Sequence, residues 1–102
     1  MSVTQIDEYT VTYSSNTFFP RIGLKHAGAF IGQLVFHPNG TALPADGLLS
    51  GQPQLHYHLD DFQNAIDLLR NEKPMFLLFV GSGGGNENAI RSTAEPVGEG
   101  EA

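Results

Sequence analysis

Two histidines separated by one residue, His56 and His58, are the side chains in this sequence best suited to chemistry. In a β-strand, such residues point to the same face with their Cβ atoms roughly 7 Å apart. Two imidazoles at that spacing can ligate one divalent metal ion or pass a proton. The alternating residues Leu55, Tyr57 and Leu59 then form the core side of the strand. The pattern therefore predicts that His56 and His58 are candidate ligand-binding and metal-binding residues.

A metal site on this pair needs further ligands, since protein zinc sites use at least three. Asp60 is nearest in sequence, but it is also predicted to cap a helix. His26 and His37 are the other candidates. Two interpretations stay open: a metal or proton-transfer site, and a pair of histidines at the surface or at a subunit contact. We favour the second and expect no cofactor, with a divalent metal ion as the alternative.

Arg21 and Lys25, together with His26, form a small cationic group on one predicted hairpin. In an acidic protein, such a group is a place where an anionic ligand can bind. The alternative is an ordinary exposed strand face. Arg21 and Lys25 are therefore candidate ligand-binding residues, for a small molecule that the sequence does not identify.

The composition excludes several classes of protein. The chain has 102 residues, 5 Lys and Arg against 11 Asp and Glu, a formal charge of −6, and no Cys. Disulfide frameworks, thiolate metal sites and cysteine nucleophiles are thus excluded, and the acidic charge argues against nucleic acid or an anionic membrane as partner. The first eight residues have no basic start and no apolar run. We therefore expect a cytoplasmic protein without a secretory signal.

The hydrophobic pattern predicts strands, one helix and a long loop. Apolar alternation or apolar runs place strands at 9–13, 20–25, 29–37, 55–59 and 75–80, with a polar edge strand at 89–93. Residues 42–53 are predicted to be an irregular loop, and 81–86 a flexible glycine-rich connection. The fold class predicted is α+β, a mostly antiparallel sheet of about five to six strands with one helix packed on it. Whether that sheet stays open or closes into a small barrel is left open, and strands 55–59 and 75–80 would be parallel if they were neighbours.

The helix is predicted to begin at Asp60, with Gln63 completing a capping box, and to end before Pro74. We expect its apolar stripe to form one core with the sheet. The predicted core residues are Phe30, Leu34, Phe36, Phe62, Ile66, Leu69, Leu77 and Phe79. Residues 1–94 are predicted to be a single domain, and 95–102 a frayed acidic tail.

The charge content points to self-association. Only 16% of the residues are charged, against about 25% in typical soluble domains. Surface that carries little charge and many apolar side chains is often buried against another copy of the chain. We therefore expect a small interaction or ligand-binding module, homo-oligomeric and without catalytic activity. The alternative is a small metal- or His-dependent enzyme centred on His56 and His58.

Overall fold

The computed structural model describes residues 1–83 and 85–93, and the predicted tail at 95–102 lies outside this range. In the described residues the chain forms eight strands, a short 3-10 turn at Leu59–Asp61 and one α-helix. The elements are β1 (Ser2–Ile6), β2 (Glu8–Thr12), β3 (Arg21–His26), β4 (Ala29–His37), β5 (Gly47–Leu49), β6 (Gln52–His58), α1 (Phe62–Asn71), β7 (Met75–Phe79) and β8 (Ala89–Ser92).

The strands form two sheets where the sequence predicted one. One sheet has the order β1-β7-β8, and the other has the order β2-β3-β4-β6-β5. Strands β4 and β6 are parallel, and every other pair is antiparallel. The α+β class, the mostly antiparallel pairing and the single helix are confirmed for the described residues. Each sheet ends in two different edge strands, so both are open and neither closes into a barrel.

The chain passes from one sheet to the other at Asp7. Ile6 at the end of β1 pairs with Met75, whereas Glu8 at the start of β2 pairs with Lys25. Between them, the Asp7 N–H donates to the Lys25 carbonyl at 3.0 Å, and its carboxylate accepts from the Ala27 N–H at 2.8 Å. This corner lets the two sheets enclose one core. The sequence analysis missed β1 because its polar side chains hide the strand period.

The core lies between the inner face of the five-stranded sheet, the three-stranded sheet and α1. Predicted core residues Leu34, Phe36 and Leu77 are fully or almost fully buried. Four others are half-buried and pack against that core: Phe62, Ile66, Leu69 and Phe79. The core also contains residues that the predicted set left out, namely Ile6, Leu55, Ala65 and Met75, together with Ile22 and Leu24 of β3.

Phe30 is the one wrong member of the predicted core, since its side chain is 44% exposed. The register between β3 and β4 shifts, so that Leu24 pairs with Gly32 but Lys25 pairs with Phe30. Ile31 is the extra residue in this bulge, and it packs against the core instead. A bulge reverses the alternation of faces on one side of it. Phe30 therefore turns outward, and its ring lies over Gly23.

The loop predicted at 42–53 contains regular structure. Strand β5 lies inside it, and β6 begins at Gln52, three residues before the predicted strand. Ser50 and Gly51 make the tight turn between them with positive φ angles of 53° and 81°, which Gly adopts without strain. Strand β6 then pairs with β4 in parallel, and β7 belongs to the other sheet. The parallel pair is thus β4–β6, not the strands on either side of the helix.

The predicted capping box at Asp60 and Gln63 is wrong. Helix α1 begins at Phe62, after the 3-10 turn, and its N-cap residue Asp61 makes no side-chain capping bond. The Asp60 carboxylate accepts instead from Asn39 at 2.9 Å, and the Gln63 amide donates to Asp67 at 3.0 Å. Within residues 1–83 and 85–93, no helix has the length and apolar character needed to cross a membrane.

Two glycines give a matched test of the β4–β6 packing. A Cβ on Gly32 would lie 2.8 Å from the Pro53 carbonyl oxygen and 2.9 Å from Leu77 Cδ2, whereas one on Gly47 would meet only Ser82 Oγ at 3.5 Å. We expect Gly32→Ala to lower the free energy of unfolding by about 1–3 kcal/mol, because the backbone oxygen cannot move aside cheaply. Gly47→Ala should leave it unchanged or slightly higher. Urea unfolding of both variants measures this, and equal stabilities would contradict the packing described.

Candidate functional site

Three histidines lie on the outer face of the five-stranded sheet, where the parallel strands β4 and β6 end. Phe36 pairs with Tyr57, and His37 with His58. The Phe36 and Tyr57 rings stack on the core side, with centroids 5.5 Å apart. Because successive side chains alternate between faces, His37, His56 and His58 all lie on the opposite side.

The partner of His56 is His37. His37 Nε2 and His56 Nδ1 are 2.8 Å apart, so one of these nitrogens donates a hydrogen bond and the other accepts it. His37 is only 8% exposed, and the Phe19 ring packs against it with centroids 4.7 Å apart. The two imidazoles thus form a partly covered pair that sequence spacing alone did not join.

His58 has a separate partner. Its Nε2 lies 2.7 Å from the Thr41 carbonyl oxygen, and a carbonyl only accepts, so this nitrogen carries the proton. Asp60, the nearest predicted third ligand, exchanges two hydrogen bonds with the Asn39 side chain. His26 lies beside Asp7, with Nδ1 3.4 Å from the carboxylate. In the part of the chain that the structure describes, no three His, Asp or Glu side chains form a group suited to a metal ion.

Asp46, just before β5, links the histidine pair to the second sheet. Its Oδ1 accepts from the His56 backbone N–H at 2.8 Å, and its Oδ2 accepts from Asn88 Nδ2 at 3.2 Å. Asn88 in turn accepts from the Val80 N–H at 2.8 Å and donates to the Gly81 carbonyl at 2.9 Å. We call this network the Asp46 clasp. It provides a hydrogen-bond acceptor on the part of the β6 edge that β5 does not reach, and it holds the backbone of His56 in place.

Burial shifts the pKa values of two residues on β6. It is the main reason that the pKa of His56 lies below 6.5, with the neighbouring His37 as a second cause, while the Asp46 carboxylate acts in the opposite direction. Burial, helped by the Asp46 and Asp61 carboxylates, raises the pKa of Tyr57 to about 12. At neutral pH the structure therefore favours an uncharged His56, which keeps a lone pair available for a proton or a metal ion.

The predicted cationic group lies along β3 and is spread out. Lys25 stands opposite Glu8 on β2, and His26 contacts Asp7, so acidic neighbours offset two of its three members. Arg21 lies opposite Val35, which in turn stands opposite His56. Arg21 is therefore the member of the group that shares a row of the outer face with the histidine pair.

Sequence reasoning missed the residues that position the site. The sequence offers His37 only as one candidate for a further ligand, because periodicity does not show that β4 and β6 are neighbours. Nothing in the sequence distinguishes Asp46 and Asn88 from the other short polar residues in the connections between strands. Such residues favour loops because their side chains bond backbone groups, and here they do so across two sheets.

The Asp46 clasp gives a stability prediction. We expect Asp46→Ala to lower the free energy of unfolding by about 1–3 kcal/mol, because the half-buried His56 N–H loses its acceptor. The control is Asp67→Ala. Among the described residues, this exposed carboxylate accepts only from Gln63, four residues earlier on the same helix, and its loss should change stability by less than about 0.5 kcal/mol. Denaturant unfolding measures the free energy of unfolding of both variants. Similar losses in the two would contradict a stabilising role for the Asp46 clasp.

The pKa of His56 gives a pH prediction. NMR titration of the imidazole signals, in chelator-treated buffer, should place it below 6.5. His37→Gln should raise this pKa only part of the way back, because burial is the larger cause. The unfolded chain binds the proton more readily, so His56 reduces stability as the pH falls from 6.5 through the folded-state value. A folded-state pKa at or above 6.5 would contradict the described environment.

Comparison with known proteins assigns no family: no family model, curated protein or solved structure matches the chain. The roles of His56, His58, Arg21 and Lys25 stay predictions, and the function is argued below from the geometry.

Proposed function

We propose that the protein is a small non-catalytic interaction module of the cytoplasm that works as a homo-oligomer, with copies meeting along β5. The observation that carries this proposal is an apolar surface without charge at the β5 edge of the larger sheet. The cytoplasmic location rests on the sequence alone.

Partly or largely exposed apolar residues lie on both faces of the sheet at this edge: Phe30, Leu49 and Pro53 surround one cleft, and Leu48 points to the face opposite to Leu49. We call these four residues the neutral edge. Phe30 is 44% exposed, Leu48 59% and Leu49 56%. A shallow cleft of about 170 Å³ lies between Phe30, Leu49 and Pro53. Large apolar side chains gathered around a cleft are a common mark of a protein–protein contact.

Charge favours a second copy of the same chain as the occupant. Residues 27–36 and 47–55, which supply the neutral edge, contain no charged side chain, although the chain carries a formal charge of −6. Two copies of an acidic protein repel each other, and the repulsion is smallest where the contact surface has no charge. A basic partner would instead be attracted to the acidic parts of the surface, away from this patch.

The backbone of β5 supports the same occupant. Among the described residues β5 is an edge strand with β6 on one side. The Gly83 N–H donates to the Asp46 carbonyl, just before β5, at 3.3 Å, and Leu48 and Leu49 lie beyond this contact. Leu48 stands opposite Pro53, which has no N–H, and this favours an arrangement in which the Leu48 N–H and C=O point away from β6. An edge with free backbone groups and apolar side chains is a template for pairing with another strand. Antiparallel pairing of β5 with its own copy would form a twofold contact.

Light scattering or sedimentation tests the assembly. We expect the mass to be a multiple of the 11.0 kDa chain at micromolar concentration, and Leu49→Glu to reduce it to the monomer by placing two carboxylates in the contact. Leu68→Glu makes the same change on an exposed position of α1, with 42% exposure, and should leave the mass unchanged. A monomer up to millimolar concentration, or equal effects of both substitutions, would overturn the proposal.

A His-dependent enzyme is the second candidate. The observation in its favour is the 2.8 Å hydrogen bond between His37 and His56, because a pair of linked imidazoles can take a proton from a substrate and pass it on. The pair lies on the outer face of the sheet, so a substrate would approach from that side. Activity that disappears in His37→Gln with the oligomer intact would favour this candidate over the first.

A further inference from the structure

We propose that His37 and His56 form a two-histidine site for a divalent late first-row transition metal ion such as Zn²⁺ or Cu²⁺. Imidazole nitrogens are the preferred neutral ligands of these ions. The two rings come from neighbouring parallel strands and present His37 Nε2 and His56 Nδ1 to each other at 2.8 Å. The observations behind this inference do not depend on the assembly proposed above.

The separation of the two nitrogens suits a shared metal ion. With metal–nitrogen distances of about 2.0–2.1 Å, two ligands at a right angle are about 2.9 Å apart, and two in a tetrahedral arrangement about 3.3 Å. The observed 2.8 Å therefore requires the rings to move apart by roughly 0.5 Å or less. Because the ion lies off the line between the two nitrogens, each ring must also turn about its side-chain bonds to aim its lone pair at the ion.

Both rings are already held in position. His37 is 8% exposed and is packed against Phe19, while the backbone of His56 is fixed by the Asp46 carboxylate at 2.8 Å. Ligands that are ordered before binding lose little conformational entropy when the ion arrives. The packing thus favours binding at this pair over the more loosely held His26.

Charge and protonation also favour a cation. The Asp46 carboxylate, which accepts from the His56 backbone N–H at 2.8 Å, places negative charge beside the pair. A neutral imidazole carries one proton on one of its two nitrogens. When the ion replaces the shared hydrogen bond, the donor ring gives up the shared proton to solvent and takes up a proton from solvent on its other nitrogen, so that both rings bind the ion as neutral imidazoles. Binding at neutral pH therefore needs no net release of a proton and adds positive charge beside a carboxylate.

The remaining coordination positions belong to solvent or to another ligand. His58 is the nearest candidate on the same face, but its Nε2 is bonded to the Thr41 carbonyl at 2.7 Å. The Asp46 oxygens are already used by His56 and Asn88. Two protein ligands are fewer than the three of catalytic and the four of structural zinc sites, so binding at this pair is weak and exchangeable. Positions left to water are those at which a metal-bound protein takes up an outside ligand.

Calorimetric titration of the untagged, chelator-treated protein with Zn²⁺ and Cu²⁺ tests the site. We expect one ion per chain, tighter binding of Cu²⁺ than of Zn²⁺, and no binding of Mg²⁺. His37→Gln and His56→Gln should each weaken Zn²⁺ binding at least tenfold. His26→Gln and His58→Gln make the same change at the other two histidines of the chain and should alter the affinity by less than threefold.

NMR of the unmodified protein tests the same metal site without relying on variants. Addition of Zn²⁺ to the unmodified protein should shift the imidazole signals of His37 and His56 and leave those of His26 in place. Failure to bind either ion, shifts confined to His26 or His58, or an undiminished affinity in a folded His37→Gln variant would each overturn the proposal.

Discussion

The Asp46 carboxylate connects the two sheets by accepting a hydrogen bond from each side. One bond comes from the His56 backbone on β6, and the other comes from Asn88, just before β8. Asn88 also closes the segment after β7 through Val80 and Gly81. Strand β5 is too short to pair with all of β6, so without this carboxylate the β6 edge would end in an unpaired N–H at the residue that carries the candidate site. Such a group is costly when it is shielded from water. One charged side chain therefore bonds to both sheets and holds the backbone of His56.

The opposite faces of the β4–β6 pair have complementary roles. On the inner side, Phe36 is completely buried and stacks on Tyr57, which fixes the register of the two strands. A slip of β6 by one residue would turn Tyr57 outward and would turn His56 and His58 into the core, at the cost of the contact with Phe36 and of two further buried imidazoles. The packing of Phe36 on Tyr57 thus determines that His37 and His56 meet at the outer surface. The site is a consequence of the core, even though none of its imidazoles belongs to it.

The sequence predicted which faces residues occupy better than it predicted which strands are neighbours. The alternation from Leu55 to Leu59 placed the histidines opposite the core, and the apolar run at 75–80 marked a buried strand, because face and burial leave a local pattern. Pairing of β4 with β6 leaves none, since it brings together residues about twenty positions apart. The bulge that turns Phe30 outward was invisible for the same reason, as it depends on the partner strand. The capping box predicted at Asp60 was wrong for a related reason. Asn39, which is distant in sequence, bonds both the Asp60 carboxylate and the Asp60 backbone N–H.

Strand β6 contributes to both the neutral edge and the histidine pair, so the two regions are physically connected. The first part of β6 supports β5 through Gln52 and Gln54, and the later part carries His56 and His58. Asp46 connects the two regions, because it directly precedes Gly47 of β5 in the chain and its carboxylate accepts from the His56 N–H. If a second copy extends the sheet along β5, it restricts the motion of Asp46 and with it the backbone of His56. Two binding events that order the same segment assist each other, and each must strengthen the other by the same factor. An ion held at the histidines would then stabilise the assembly, and the assembly would in turn tighten its hold on the ion.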